Sequence, residues 1–109
     1  MDRETKRLAY AKAAEGHALK GKTQPYTAMN GNMFSFLAPD GTLAVRLADT
    51  DRADFEAQYG PAEVTQYGRV MRGYVAVPDT VIQDDTAFRA LFVRSANFAT
   101  TLKPKPTKR

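Results

Sequence analysis

The chain has 109 residues, of which 43% are hydrophobic and 26% charged, and this composition is typical of one globular domain with a single core. There is no cysteine, so disulfides and thiolate chemistry are excluded. The formal net charge is +4; residues 103–109 carry four positive charges and no negative one, so 4 − 4 leaves residues 1–102 neutral. This balance gives little support to a folded phosphate-binding face and places the excess charge in a basic tail.

No apolar run approaches the roughly 20 residues of a membrane span. The charged N-terminus lacks the apolar segment of a signal peptide. We therefore expect a soluble, cytoplasmic protein with no membrane partner.

The first predicted element is a helix over residues 3–15, which are rich in Ala, Lys, Arg and Glu, with Gly16 as its stop. Its apolar face is thin and consists mainly of Leu8, Ala11 and Ala14. We expect this helix to dock by close approach of small side chains.

Three strands are predicted next, over residues 23–29, 33–38 and 42–47. Asn30-Gly31 joins the first two, because a two-residue hairpin turn needs positive φ at both central positions. Period-two alternation places Phe34 and Phe36 together on one face of the second strand.

The third predicted strand alternates between apolar and other residues. Its core positions are Leu43, Val45 and Leu47, and its outward positions are Thr42, Ala44 and Arg46. This pattern predicts a sheet with one face in contact with water.

An acidic helix over residues 49–59 follows, and Gly60-Pro61 ends it. Residues 63–65 are predicted to form a short strand and residues 70–77 a stronger one. Gly73 in the second of these indicates a bulge or a close packing partner.

The last predicted helix begins at Asp84 or Asp85 and carries the widest apolar stripe of the chain. The stripe consists of Phe88, Leu91, Phe92, Ser95, Phe98 and Leu102. Its width predicts that this helix is the main cover of the sheet.

The element order α-β-β-β-α-β-β-α predicts an α+β fold. We expect a two-layer sandwich in which helices pack on one face of an antiparallel sheet of four to five strands. Residues 1–102 form the predicted domain. Residues 103–109, which alternate Lys with Pro and cannot continue a helix, are predicted to be a disordered basic tail.

The region from Tyr26 to Leu102 resembles the N-terminal domain of the TfoX/Sxy competence regulators and its stand-alone relatives. The matching motifs are Asn30-Gly31-Asn32-Met33-Phe34, the Asp40-Gly41 turn, the strand from Leu43 to Leu47, the helix from Arg52 to Phe55, and the segment from Gly68 to Pro78. The resemblance implies a small α+β domain of the YjbR/TfoX-N type. It carries no catalytic residues, because the family has no established catalytic motif.

Catalytic and metal sites find little support in the residue types. A Ser-His-Asp triad would depend on His17 alone, whose place after the first helix favours contact with the last-turn carbonyls. Asp51 and Asp54 are more typical of a solvated helix face than of a cation site. We therefore predict no catalytic residue, no metal site and no cofactor.

One polar group is distinctive because it combines arginine with tyrosine. Its members are Arg46, Tyr67, Arg69, Arg72 and Tyr74. Such a group suits an anion, a base or a partner carboxylate. The other interpretation is an ordinary polar sheet face on which arginine stems cover tyrosine rings.

Three hypotheses about function follow. The leading one is a regulatory or adaptor domain, not an enzyme, that binds an unknown protein through a sheet face or edge; a homodimer is included, because exposed edges invite pairing. The alternative is accessory binding of nucleic acid through the Arg/Tyr group and the tail residues Lys103, Lys105, Lys108 and Arg109. The third is a small-ligand or enzyme role in a concave pocket lined by Arg46, Arg69, Arg72 and Tyr74.

Overall fold

Residues 1–105, which the computed structural model describes, form four helices and six strands. In chain order these are α1 (Arg3–Ala13), β1 (Tyr26–Met29), β2 (Asn32–Leu37), β3 (Leu43–Arg46), α2 (Asp49–Tyr59), β4 (Thr65–Gln66), β5 (Arg69–Val70), β6 (Tyr74–Ala76), α3 (Asp79–Ile82) and α4 (Asp85–Thr101). No helix in this part of the chain has the length and apolar character needed to cross a bilayer.

Four strands form one antiparallel sheet in the order β1-β2-β3-β6. Helix α4 lies across β1, β2 and β3, and α1 and α3 pack beside it. Strands β4 and β5 pair only with each other and form a separate hairpin. The predicted two-layer α+β architecture is therefore confirmed, with four strands in its sheet.

A β-bulge at Phe34 changes which side chains of β2 face the helices. Thr27 pairs with Ser35 and Ala28 pairs with Met33, so Phe34 is the extra residue between the two pairs. Phe34 and Ser35 consequently both face the helix layer, while the side chain of Phe36 joins the opposite face. The prediction that Phe34 and Phe36 share a face was wrong, because period-two alternation does not continue through a bulge.

Helix α1 docks through Tyr10, whose side chain is fully buried. The Tyr10 hydroxyl is 2.5 Å from Ser35 Oγ, and Ser35 Oγ in turn contacts Thr27 Oγ1. Burial raises the pKa of the Tyr10 phenol, so the hydroxyl stays protonated. It forms one end of the series of hydrogen-bonded hydroxyls Tyr10, Ser35 and Thr27. The predicted apolar face of α1 was wrong at Leu8, which is 57% exposed, and at Ala11, which is also exposed.

The face of the sheet opposite the helices is also covered. Phe36, Ala44 and Tyr74 form a second apolar cluster there, and Val64 closes it from the segment 62–71. The prediction that Ala44 faces water was wrong, because this segment folds back over the strands. The predicted strand 70–77 is divided accordingly: β5 belongs to the hairpin and β6 to the sheet.

Segments of the same chain contact both edges of the sheet. At the β6 edge, the Ala76 amide donates to the Ala62 carbonyl at 2.9 Å. At the β1 edge, Lys20 and Tyr26 exchange two backbone hydrogen bonds, and the Lys105 amide donates to the Asn30 carbonyl at 2.8 Å. Edge pairing with a second copy would have to displace these segments.

Helix α4 is the main cover of the sheet, as its stripe predicts. Phe88 and Phe92 are buried in the core, and the Ser95 hydroxyl contacts the carbonyls of Phe34 and Arg46 at 3.0 and 2.6 Å. These carbonyls lie just beyond the last pair of the β2–β3 ladder. Ser95 therefore supplies one hydroxyl proton to the two carbonyl acceptors at the end of that ladder, which explains a polar residue in an apolar stripe.

The docking of α1 can be tested with two alanine substitutions. Tyr10→Ala should lower the free energy of unfolding by about 3–5 kcal/mol, because it empties a buried aromatic site and leaves Ser35 without its Tyr10 partner. Leu8→Ala should change it by less than about 0.5 kcal/mol, because Leu8 is exposed. Urea unfolding followed by circular dichroism measures both. A larger loss for Leu8→Ala than for Tyr10→Ala would show that α1 docks on the other face.

Candidate functional site

The five members of the Arg/Tyr group do not converge on one site. Arg46 and Tyr74 are a cross-strand pair of β3 and β6. The Tyr74 hydroxyl donates to the Met33 carbonyl at 2.7 Å, and its ring packs on Phe36 with the centroids 5.4 Å apart. Tyr74 is thus part of the buried outer cluster rather than an exposed contact.

Arg46 lies at the rim between the sheet and α4. Its guanidinium carbon is 5.8 Å from the centroid of the Phe98 ring, a cation–π arrangement. Gly73 lies against this side chain: a Cβ there would be 3.6 Å from both Cγ and Nε of Arg46. The Arg46 Nε is buried and has no hydrogen-bond partner among the described residues. Packing thus holds Arg46 in place.

Tyr67 and Arg69 lie on the β4–β5 hairpin. Tyr67 and Gly68 both have positive φ, 54° and 74°, which matches a tight two-residue turn. The Tyr67 side chain is 83% exposed, and its hydroxyl donates to Gln24 Oε1 at 3.4 Å. Arg69 and Val70 follow the turn and are also exposed.

Arg72 lies on a shallow cleft of about 300 Å³ between the hairpin and α2. The lining includes two cationic and two anionic residues: Arg52, Arg72, Glu56 and Glu63. Tyr74 also belongs to the lining, whereas Arg46 and Arg69 lie outside it. The charges of this cleft are balanced, which does not favour a purely anionic ligand.

His17 packs inside the domain rather than in an open site. Its ring meets those of Phe34 and Phe92 edge-on, with centroids 5.8 and 5.4 Å away. Its backbone amide donates to the Ala14 carbonyl at 2.8 Å, while Arg89 donates to the carbonyls of Ala13 and Glu15. The Arg89 side chain thus makes the contacts to carbonyls at the end of α1 that were expected of the His17 side chain.

Two acidic residues in the first turn of α2 take part in ion pairs at its surface. Asp49 pairs with Arg52 at 2.9 Å, and Asp51 pairs with Arg94 at 3.4 Å. Within residues 1–105, no cluster of three or more His, Cys, Asp or Glu side chains has a metal-binding arrangement.

The first part of the basic tail contacts the β1–β2 turn. Asn32 Nδ2 donates to the Lys103 carbonyl at 3.0 Å, and the Lys105 amide bonds to Asn30. Gly31 makes this approach possible, since a Cβ there would lie within 2.3 Å of the Lys105 carbonyl oxygen. Lys108 and Arg109 lie outside the described residues.

The tail contact places Lys103 and Lys105 at one end of β1, while Lys20 bonds at its other end. Lys20 and Lys22 precede β1, and Lys103 and Lys105 follow α4; all four are exposed. We call these four residues the β1-edge lysines. A sequence signal does exist for them: the two segments that supply them, residues 16–39 and 86–109, contain no Asp or Glu.

Comparison of the chain with protein-family models, curated proteins and solved structures gives no match. The geometry of the chain itself must therefore support any functional proposal.

The buried outer cluster makes a testable prediction about pH. Burial, opposed in part by the Arg46 charge, raises the pKa of Tyr74 from 10.0 to about 12. This contribution to stability is present in full below pH 10 and is lost as the pH rises toward 12, because the unfolded state ionises first. It amounts to roughly 1–3 kcal/mol.

Tyr74→Phe removes this ionisation and should therefore lose less stability between pH 10 and pH 12 than the wild type. The measurement is urea unfolding at a series of alkaline pH values. A variant and a wild type that lose stability in parallel would contradict the burial of the Tyr74 hydroxyl.

Proposed function

We propose that this chain is a regulatory or adaptor domain without catalysis, of the TfoX-N-like type, which binds another protein through the β4–β5 hairpin. The observation that carries the proposal is the exposure of Tyr67, 83%, beside Val70, which is 53% exposed. A large aromatic and a branched apolar side chain at a rigid turn are typical of residues that a partner buries.

The hairpin is suited to binding because its turn is already ordered. Tyr67 and Gly68 both have positive φ, as a two-residue hairpin turn requires, and this backbone holds the Tyr67 side chain at the tip. Tyrosine and arginine are the residue types enriched at the centres of interfaces. Arg69, which is exposed and lies between Tyr67 and Val70 in sequence, favours a partner with an acidic surface.

A site-specific crosslinker can test this proposal in the host cell. A photoreactive phenylalanine analogue at position 67 should capture one acidic protein, whereas the same analogue at position 8 should not. Leu8 is the matched control because it is also a large exposed side chain, on a different face. Capture of a second copy of this chain at position 67 would show that the partner is that second copy and that the complex is a homodimer.

The captured partner is then purified and its affinity measured by calorimetry. Tyr67→Asn keeps the turn, because Asn tolerates positive φ before Gly, and should weaken binding at least about five-fold, or 1 kcal/mol. Leu8→Asn should leave the affinity unchanged. Equal crosslinking at positions 8 and 67, or unchanged affinity of Tyr67→Asn, would contradict the proposal.

A further inference from the structure

The β1-edge lysines form a row of uncompensated positive charge. Within residues 1–105, none of the four makes an ion pair, whereas Lys6, Lys12, Arg7, Arg52 and Arg94 each do. Arg3 and Arg89 donate hydrogen bonds to backbone carbonyls, and the Arg46 guanidinium lies over the Phe98 ring. Among the described residues, Arg69 and Arg72 are the other exposed cations that make neither an ion pair nor a hydrogen bond to a carbonyl.

Backbone hydrogen bonds attach this row to one strand. Lys20 bonds to Tyr26 at the start of β1, and Lys105 bonds to Asn30 just after its end. These two attachment points are four residue steps apart, or about 13 Å at roughly 3.3 Å per residue. Lys22 and Lys103 are each two residues away in sequence from Lys20 and Lys105, respectively, so the backbone positions of the four lysines follow one edge of the sheet.

We propose that the β1-edge lysines bind the phosphate backbone of a single-stranded nucleic acid. Lysines present point charges without the forked geometry that selects one phosphate monoester, so they suit a repeating backbone. A single line of charge matches one backbone better than the two of a duplex. Tyr67, bonded to Gln24 in the loop that carries Lys20 and Lys22, adds an exposed ring on which a base can stack.

The large exposed apolar side chains favour nucleic acid over a lipid surface. Leu8 lies on α1, Val93 on α4 and Tyr59 on α2, so none of these three interleaves with the row. Tyr67 is the exposed ring whose hydroxyl contacts the loop of Lys20 and Lys22. A membrane-binding basic patch normally combines its charge with apolar residues that insert.

Fluorescence anisotropy with a labelled oligothymidylate of about 16 nucleotides tests the proposal. Four phosphate contacts predict a slope of about −2.8 in log K against log salt, or about a 50-fold loss of affinity between roughly 50 and 200 mM salt. Removing two contacts with K20Q/K105Q should reduce that loss to about seven-fold.

The matched control is K12Q/R94Q, which removes the same charge from two exposed side chains of the helices α1 and α4. It should keep the wild-type salt slope. Equal slopes for the two double variants, or no binding by the wild type at low salt, would overturn the proposal. Equal affinity for a duplex, for polyglutamate or for anionic vesicles would also overturn it, since each assigns the row to another partner.

Placement of the tail lysines is tested separately. Lys105→Pro and Lys105→Ala remove the same charge, but only proline removes the amide that bonds to Asn30. Lys105→Pro should bind the oligonucleotide more weakly than Lys105→Ala. Indistinguishable affinities would contradict the docked row and assign the binding to an unstructured tail. The hairpin variant Tyr67→Asn keeps all four lysines and should keep the salt slope, so the two proposals can fail independently.

Discussion

The bulge at Phe34 is the constraint on which the other features depend. It places two consecutive side chains of β2, Phe34 and Ser35, on the helix side of the sheet. Phe34 then packs against Phe92 of α4, with the ring centroids 5.6 Å apart, and Ser35 meets the hydroxyl of Tyr10 on α1. The bulge thus provides a contact for each of the two helices, and Ser35 is the hydrogen-bond partner of the phenol that α1 buries.

The same bulge provides the outer face with its aromatic residue. Phe36 points away from the helices and packs on Tyr74, so this face needs a cover of its own, which the segment 62–71 supplies. The hairpin at the centre of that segment projects beyond the cover and exposes Tyr67. At the β1 edge, the backbone of Lys20 bonds to Tyr26 and that of Lys105 bonds to Asn30. An aromatic protrusion and a line of lysines are therefore both consequences of how the sheet is covered.

The sequence predicts the elements of this fold better than their faces. The Asn30-Gly31 turn, the alternation around Val45 and the stripe of α4 are local signals, and the structure agrees with them. The bulge depends on pairing between β1 and β2, and the burial of Ala44 depends on a segment 20 residues away. Neither feature can therefore be predicted from the local alternation of apolar and polar residues. The sequence suggested one Arg/Tyr group, but the fold does not bring its five members to one site. The β1-edge lysines were detectable only as acid-free segments, because their proximity arises from backbone contacts made at the two ends of β1.

Nuclear Overhauser effects between aromatic rings test the bulge most directly. With Phe and Tyr rings selectively labelled, we expect contacts from Phe34 to Phe92 and from Phe36 to Tyr74. Phe36 should show no contact with Phe92. Contacts of both Phe34 and Phe36 with Phe92 would mean that β2 alternates regularly, and would contradict the division of the core into two faces.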